Sequence, residues 1–457
     1  MLKRTSQGGL ILIALILVAS LFVFTGCPGS KGISLKGANI VISSWWSTYN
    51  VATAEPRSEG EEQELAMRIA LLKNQAFNFE VKELTDWDNY LPLVASTIMS
   101  GSKDFSIYEV APNQAITLYK QGLLYPVSES KAVNFKNRTP VAYGDTGATP
   151  MYNGLVESFM TFGGKTYGWQ YGLPNNSWGQ AMLFFNTKHL TDIGLSPDYI
   201  YDLQKSNNWT WDTFLDLCRK LTRDTNNDGI TDIYALPCDD AREVLRGLIY
   251  GNGANFVTFD ANGKAVNATN SPAFVEALQF YNQLIQEGLV LTMPTYDWGW
   301  NWTAFYDQRV AMTFDPEWRK GQAQDQFDGG YVLPPRGPRS ATLRMDASDN
   351  VYTIPAFFTP AEVDVILKAA ELWFTPVDTD WLGGHYWASR NLRDVTETVV
   401  MSRDSNNLTV RDFFLVPGFP FDDFIGDFRN GLGSANPSQV IESWTPRFQA
   451  AIDDFNR

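Results

Sequence analysis

The sequence predicts an α/β protein whose first part is a parallel sheet covered by helices. Three observations lead there. Strand and helix patterns alternate from residue 38 to residue 121, later helices carry apolar residues at helical spacing, and 44% hydrophobic residues without low-complexity tracts indicate real cores. Ala38 to Ser44 alternates as a strand ending on Trp45 and Trp46, and a helix follows over Glu61 to Asn74 with acids at its start. Phe79 to Leu84 and Phe105 to Val110 are the next strands, followed by helices over Asn89 to Met99 and Asn113 to Gln121. In such a sheet, ligands bind beyond the carboxyl ends of the strands.

Ahead of this lies an export signal, residues 1–26: Lys3 and Arg4, an apolar run from Leu10 to Phe24, then Thr25 and Gly26 before Cys27. A small residue directly before a cysteine predicts lipidation at Cys27, with residues 27–36 as a tether; a plain cleaved signal or a signal anchor is the alternative, and the apolar run is short for a span. Loss of Lys3 and Arg4 takes the net charge from −15 to −17. That surface disfavours nucleic acid and anionic membranes.

Further along, Thr210 caps a helix whose apolar face is Trp211, Phe214, Leu215, Cys218 and Leu221. An acidic loop follows. Asp224, Asn226, Asp228 and Asp232 place side-chain oxygens at positions one, three, five and nine of a calcium-type loop, with Gly229 at the bend and further ligands to come from the Ile230 carbonyl, water, or the later Asp239 and Asp240. Ala235 stands where an EF-hand needs a bidentate Glu, so a full EF-hand is excluded. The expectation is a structural calcium ion and no other cofactor; the competing reading is an exposed acidic turn without metal. Cys218 and Cys238 flank the loop and could oxidise outside the cytoplasm, but the apolar setting of Cys218 suits a buried free thiol. Pro272 in the first turn and Gly288 past the end bound a helix over Ser271 to Glu287; Ala361 to Phe374 and Pro437 to Phe455 are further helices.

Several segments carry a resemblance: Phe185 to Leu190 (F-N-T-K-H-L), Trp209 to Phe214 (W-T-W-D-T-F), the acidic loop, Gly122 to Pro126, Gly251 to Asn255, and Val310 to Met312 followed by Trp318. In this order the chain resembles the extracellular solute-binding proteins, family 1, the sugar-capturing receptors of bacterial ABC importers and relatives of maltose-binding protein. Gln308 and Arg309 depart from the family's usual Gly-Lys. The resemblance implies a two-lobed periplasmic-binding-protein-like α/β fold with a hinge and an inter-lobe ligand cleft. It places residues 37–148 and 345–400 in an N-terminal lobe and residues 149–344 and 401–457 in a C-terminal lobe. It also implies a monomer that is not an enzyme, anchored through Cys27 on the outer face of the cell membrane, with a carbohydrate ligand and an ABC permease as partners.

Tryptophans at strand ends and loops suit a sugar, whose C–H groups pack on a flat ring while neighbouring polar groups take its hydroxyls. The candidate ligand residues are Trp45, Trp46, Glu109, Asn113, Trp169, Tyr171, Asn176, Asp297, Trp298, Trp300, Glu317 and Trp318. Core packing is the alternative for each Trp, and is preferred for Trp209, Trp211, Trp373 and Trp444. Alternation in W-G-W-N-W would put Trp298, Trp300 and Trp302 on one face of a strand. Catalytic signatures are missing: His189 and His385 have no zinc spacing, and neither a G-x-S-x-G elbow nor a P-loop occurs. His189, near a helix start, is expected at the surface. A glycoside hydrolase or surface glycan-binding lipoprotein is the competing class, and a peptide or other small solute the competing ligand.

Overall fold

The computed structural model describes residues 32–55, 59–135, 154–171, 178–238, 242–292, 300–321, 328–374, 398, 407–431 and 433–457. Four strands form the first sheet, in the order Val351–Thr353, Ile107–Val110, Asn39–Ser44, Asn78–Glu83. The last three run parallel, with Ile42 opposite both Val81 and Ile107. Val351–Thr353 joins antiparallel, Tyr352 opposite Glu109. Because side chains alternate along a strand, Ile107 enters one apolar cluster with Ile40, Ile42, Phe79 and the helix Pro360–Trp373. Tyr108 and Val110 enter another, with Tyr90 and Val94 of the helix Trp87–Met99 and Ala115 and Leu118 of the helix Pro112–Lys120. The sheet is therefore covered on both faces, as the alternating pattern predicts.

A second, separate cluster forms the other lobe. At its centre is Met182–Asn186, flanked antiparallel by Met312–Asp315 and Gly329–Val332. Around it pack the helices Trp211–Leu221, Arg242–Gly251, Pro272–Gln286, Phe421–Asn430 and Pro437–Phe455. Their ends follow the sequence signals. The Thr210 and Ser271 hydroxyls accept from the Thr213 and Phe274 amides, and Gly288 turns the chain at φ +70° after the long helix. Trp209, Trp211 and Trp444 are buried here and Trp373 in the first lobe, as expected of core residues.

The packing divides the chain differently from the expected boundaries at 149 and 345. Residues 154–171 bring Val156, Met160, Trp169 and Tyr171 into the first lobe's clusters. Met345–Ser348 instead belongs with the second lobe, pairing with Leu408–Val410 and Trp178–Gly179 while Met345 enters the second core. The chain thus passes between lobes within Asp349 and Asn350. Beside it lie residues 169–171 and 178–180, bridged to it at Trp169 with Tyr352 and at Trp178 with Ser348. Two glutamines fasten the pair: Gln170 Nε2 donates to the Asn350 carbonyl at 3.0 Å and Gln180 Nε2 to the Ser348 carbonyl at 3.3 Å.

Two expectations are corrected, and the choice between two readings of Cys218 is decided. Trp300 and Trp302 lie on a helix, Trp300–Tyr306, where residues two apart point in different directions, so Trp302 is buried against Phe184 while Trp300 is half-buried. Trp298 lies outside the described residues. His189 is 1% exposed rather than at the surface, its Nδ1 3.3 Å from Arg223 Nη2, and burial followed by the Arg223 and Lys188 charges lowers its pKa to about 4. Cys218 is a buried free thiol, so the disulfide alternative does not hold.

Asp412, after the strand Leu408–Val410, is buried beside Tyr250, whose hydroxyl donates to its Oδ1 at 3.2 Å, as does the Val257 amide. Burial pushes its pKa up to about 8. An unfolded Asp ionises near ~4, so between about 4 and about 8 the folded protein binds the extra proton and stability falls as pH rises, levelling off above. Asp412→Asn should remove most of this slope and gain on the order of 1–3 kcal/mol over wild type at pH 8.5. Urea denaturation at pH 5 and pH 8.5 measures both values.

Candidate functional site

The candidate ligand residues fall into an exposed set and a buried set. Trp45 and Trp46 follow directly on the strand Asn39–Ser44, at the carboxyl edge of the parallel sheet. Trp46 is 60% exposed, yet its indole N–H donates to Glu109 Oε2 at 3.1 Å. Glu109 is buried at the end of the neighbouring strand, and its Oε1 accepts from Asn350 Nδ2 at 2.7 Å. Burial raises the pKa of this carboxyl, opposed by the hydrogen bonds from Asn350 and Trp46. With its N–H engaged, Trp46 offers a fixed ring to solvent. Trp45 packs edge-on against Trp87, centroids 5.0 Å apart, and against Tyr90 at 5.1 Å. Asn113 is half-buried in the first turn of the next helix, its Oδ1 accepting from the Gln114 amide at 2.9 Å.

In the second lobe, Glu317 and Trp318 follow the strand Met312–Asp315. Glu317 is fully buried and accepts from the Gly179 amide at 3.2 Å and the Tyr331 hydroxyl at 3.4 Å, which makes it part of the scaffold beside the crossing. Trp318 is 41% exposed, with the Arg319 guanidinium 4.6 Å from its ring centroid. Arg319 in turn pairs with Asp315 at 3.4 Å, whose other oxygen takes the Asn301 amide at 2.7 Å. Trp318 is thereby an exposed ring braced from behind by a buried ion pair.

Trp169 and Tyr171 do not belong with these surfaces. Trp169 is fully buried against Phe135, Tyr171 and Tyr352, and Tyr171 stacks on Phe374 at 4.4 Å with its hydroxyl on Glu371. Strand pairing at Tyr352 draws both rings into the core. Asn176, Asp297 and Trp298 lie outside the described residues, as does His385. Two residues of the site escaped the sequence reading. Trp87 is 42% exposed beside Trp45 and opens a helix capped by Asp86, so the Asp-Trp-Asp stretch after the second strand carried the signal. Asn350 had no local signal, because its partner Glu109 is distant in the chain.

The acidic loop is closed by its own donors. Asp224 accepts from the Asn227 and Gly229 amides at 2.7 Å each, Asn226 from Asp228 and Asp228 from Ile230 at 2.8 Å. Asp232 takes the Thr225 amide and hydroxyl, and these bonds lower its pKa. Ile230 is exposed, and among the described residues no three acidic, His or Cys side chains gather in a group able to hold a metal. Next to the loop, a cavity of about 450 Å³ is lined by residues that include Lys188, His189, Asp192, Arg223 and Thr225 and none of the exposed tryptophans.

Burial sorts the tryptophans by the cost of removing them. Trp169→Ala should destabilise the protein by about 3–5 kcal/mol, and Trp46→Ala by less, about 1–2 kcal/mol, the loss being its hydrogen bond to Glu109 rather than core packing. Chemical denaturation of the two variants beside wild type tests the sorting; similar losses would place Trp46 in the core.

Similar architectures are found among solute receptors. The GacH receptor of Streptomyces glaucescens, solved unliganded and with acarbose, is 15% identical with a TM-score of 0.61, over 92% of this chain and 99% of that one. MalE from Bdellovibrio bacteriovorus bound to maltotriose is 16% identical with a TM-score of 0.57, over 91% and 99%. UgpB from Mycobacterium tuberculosis with glycerophosphocholine is 15% identical with a TM-score of 0.60, over 92% and 99%. At these identities the likeness is one of fold. No curated protein matches by sequence. The model of the bacterial extracellular solute-binding proteins matches residues 70–362, more than half of the chain, and the protein belongs to that family.

Proposed function

We propose that this binding protein captures a carbohydrate, an oligosaccharide in particular, between its two lobes and hands it to the membrane permease of an ABC importer. The observation that carries the reading is the Trp46 ring, exposed at the carboxyl edge of the parallel sheet yet fixed by a buried carboxylate, with Trp45 and Trp87 alongside. A flat, held ring stacks on the C–H face of a sugar at little entropic cost. Trp318 offers a second ring from the other lobe, and closure about the paired crossing brings the two surfaces onto one ligand. Acarbose and maltotriose in two of the similar receptors support a sugar; glycerophosphocholine in the third keeps other small solutes as the competing ligand. The family is one of binding proteins, not enzymes, and it is extracellular.

The protein in this reading is a monomer held on the outer face of the membrane by lipid on Cys27. Among the described residues no helix is long and apolar enough to cross a membrane, and residues 1–31 lie outside them. Calcium at the Asp224–Asp232 loop has the spacing of oxygen side chains in its favour and the loop's self-contained hydrogen bonding against it.

Thermal unfolding of the lipid-free chain against a panel of oligosaccharides tests the ligand. At a hundredfold excess over Kd a bound sugar adds roughly 2.7 kcal/mol. The expected result is a rise in Tm with one sugar class, lost in Trp46→Ala, with the sugar recovered unchanged. A rise only with peptides or phosphodiesters would reassign the ligand, and sugar consumption would reinstate a hydrolase. In the same assay, calcium against chelator should raise Tm if the loop holds the ion, and Asp224→Ala should abolish that rise. Expressed with its signal, wild type should partition with membranes and Cys27→Ala should appear in the soluble fraction.

A further inference from the structure

Glu109 was expected to meet the ligand directly, but it is 6% exposed and each of its carboxylate oxygens already accepts a hydrogen bond from within the protein. Oε2 holds the Trp46 indole at 3.1 Å and Oε1 holds the Asn350 amide at 2.7 Å. Asn350 stands in the two-residue passage between the lobes, one position before the strand Val351–Thr353. Its carbonyl is gripped in turn by Gln170 on the other crossing segment, at 3.0 Å. A continuous chain of hydrogen bonds therefore runs from an exposed ring to both crossing segments, through a carboxylate that is 6% exposed. In that setting the bonds are strong and directional, and a displaced partner would leave a buried polar group unpaired.

We propose that Glu109 is a positioning residue that sets the orientation of the Trp46 ring and the geometry of the lobe crossing together, so that ligand pressing on Trp46 is felt at Asn350. This rests on the reading that solute is taken against Trp46. The influence of Asn350 on the Trp46 ring passes through Glu109, which both of them bond. Opening of the crossing strains the same carboxylate that holds the ring. Ligand and lobe angle then bias one another through a shared residue, as coupled sites must.

The test is ¹⁹F NMR of the lipid-free protein carrying 5-fluorotryptophan, with the Trp46 resonance assigned by its loss in Trp46→Phe. In protein without sugar, Asn350→Ala and Glu109→Gln should both move that resonance, since a Gln amide has one oxygen for two donors. Lys220→Ala, exposed on the second-lobe helix Trp211–Leu221, should leave it in place. Circular dichroism and Tm confirm that each variant is folded. With a sugar that binds wild type, Asn350→Ala should weaken affinity about tenfold, the value of one hydrogen bond to a charged group. An unmoved Trp46 resonance in folded Asn350→Ala overturns the proposal, and so does a moved resonance with unchanged affinity. Should no sugar bind wild type, a moved resonance still supports the clamp while the carbohydrate reading fails, so the two fail separately.

Discussion

The pairing of the two crossing segments is the constraint on which the rest of the molecule depends. Trp169 bridges Tyr352 on the first-lobe side, and Trp178 bridges Ser348 on the second-lobe side. Between these points lie Asp349 and Asn350, with too little chain to wander, and Gln170 and Gln180 bind the backbone at either end. Each lobe has its own apolar core, the first lobe's in two clusters and the second's in one, and the passage joins them. Buried carboxylates sit at both margins. Glu109 holds the passage from one lobe, while Glu317 holds the Gly179 amide from the other.

Aromatic residues serve two purposes here, and burial separates them. In the cores, rings such as Trp211 and Phe280, stacked with centroids 4.5 Å apart, fill volume and fix helices against one another. At the edges, Trp46 and Trp318 keep their rings in solvent, and each is restrained by a charged partner rather than by packing. An exposed ring held by a buried charge gives up little freedom when a ligand arrives.

Much of this architecture was legible in the sequence because local signals sufficed. The period-two pattern of Asn39–Ser44, the Thr210 cap and the Pro272 and Gly288 boundaries all survive in the structure within a residue or two. Trp46 and Glu109 were legible as a consequence of topology, since both stand at the ends of parallel strands. What failed was whatever depended on distant partners. Trp169 reads as a strand-end tryptophan until Tyr352 pairs with it, and the solvent character of His189 disappears once Arg223 folds over it. Periodicity also misled at Trp300 and Trp302, where alternation suggested a strand and the chain formed a helical turn.

The edge strand of the first sheet has a consequence for how the chain comes into being. Asn350 and Glu109, bonded in the finished protein, are 241 residues apart along the sequence. The strand Val351–Thr353 and the helix Pro360–Trp373 that cover the first sheet cannot join it until most of the polypeptide has been made. Until then the N-terminal strands lack one neighbour and much of one apolar covering, and pairings of such long range form slowly. The lobe that begins the chain is thus not completed until its late strand and helix arrive.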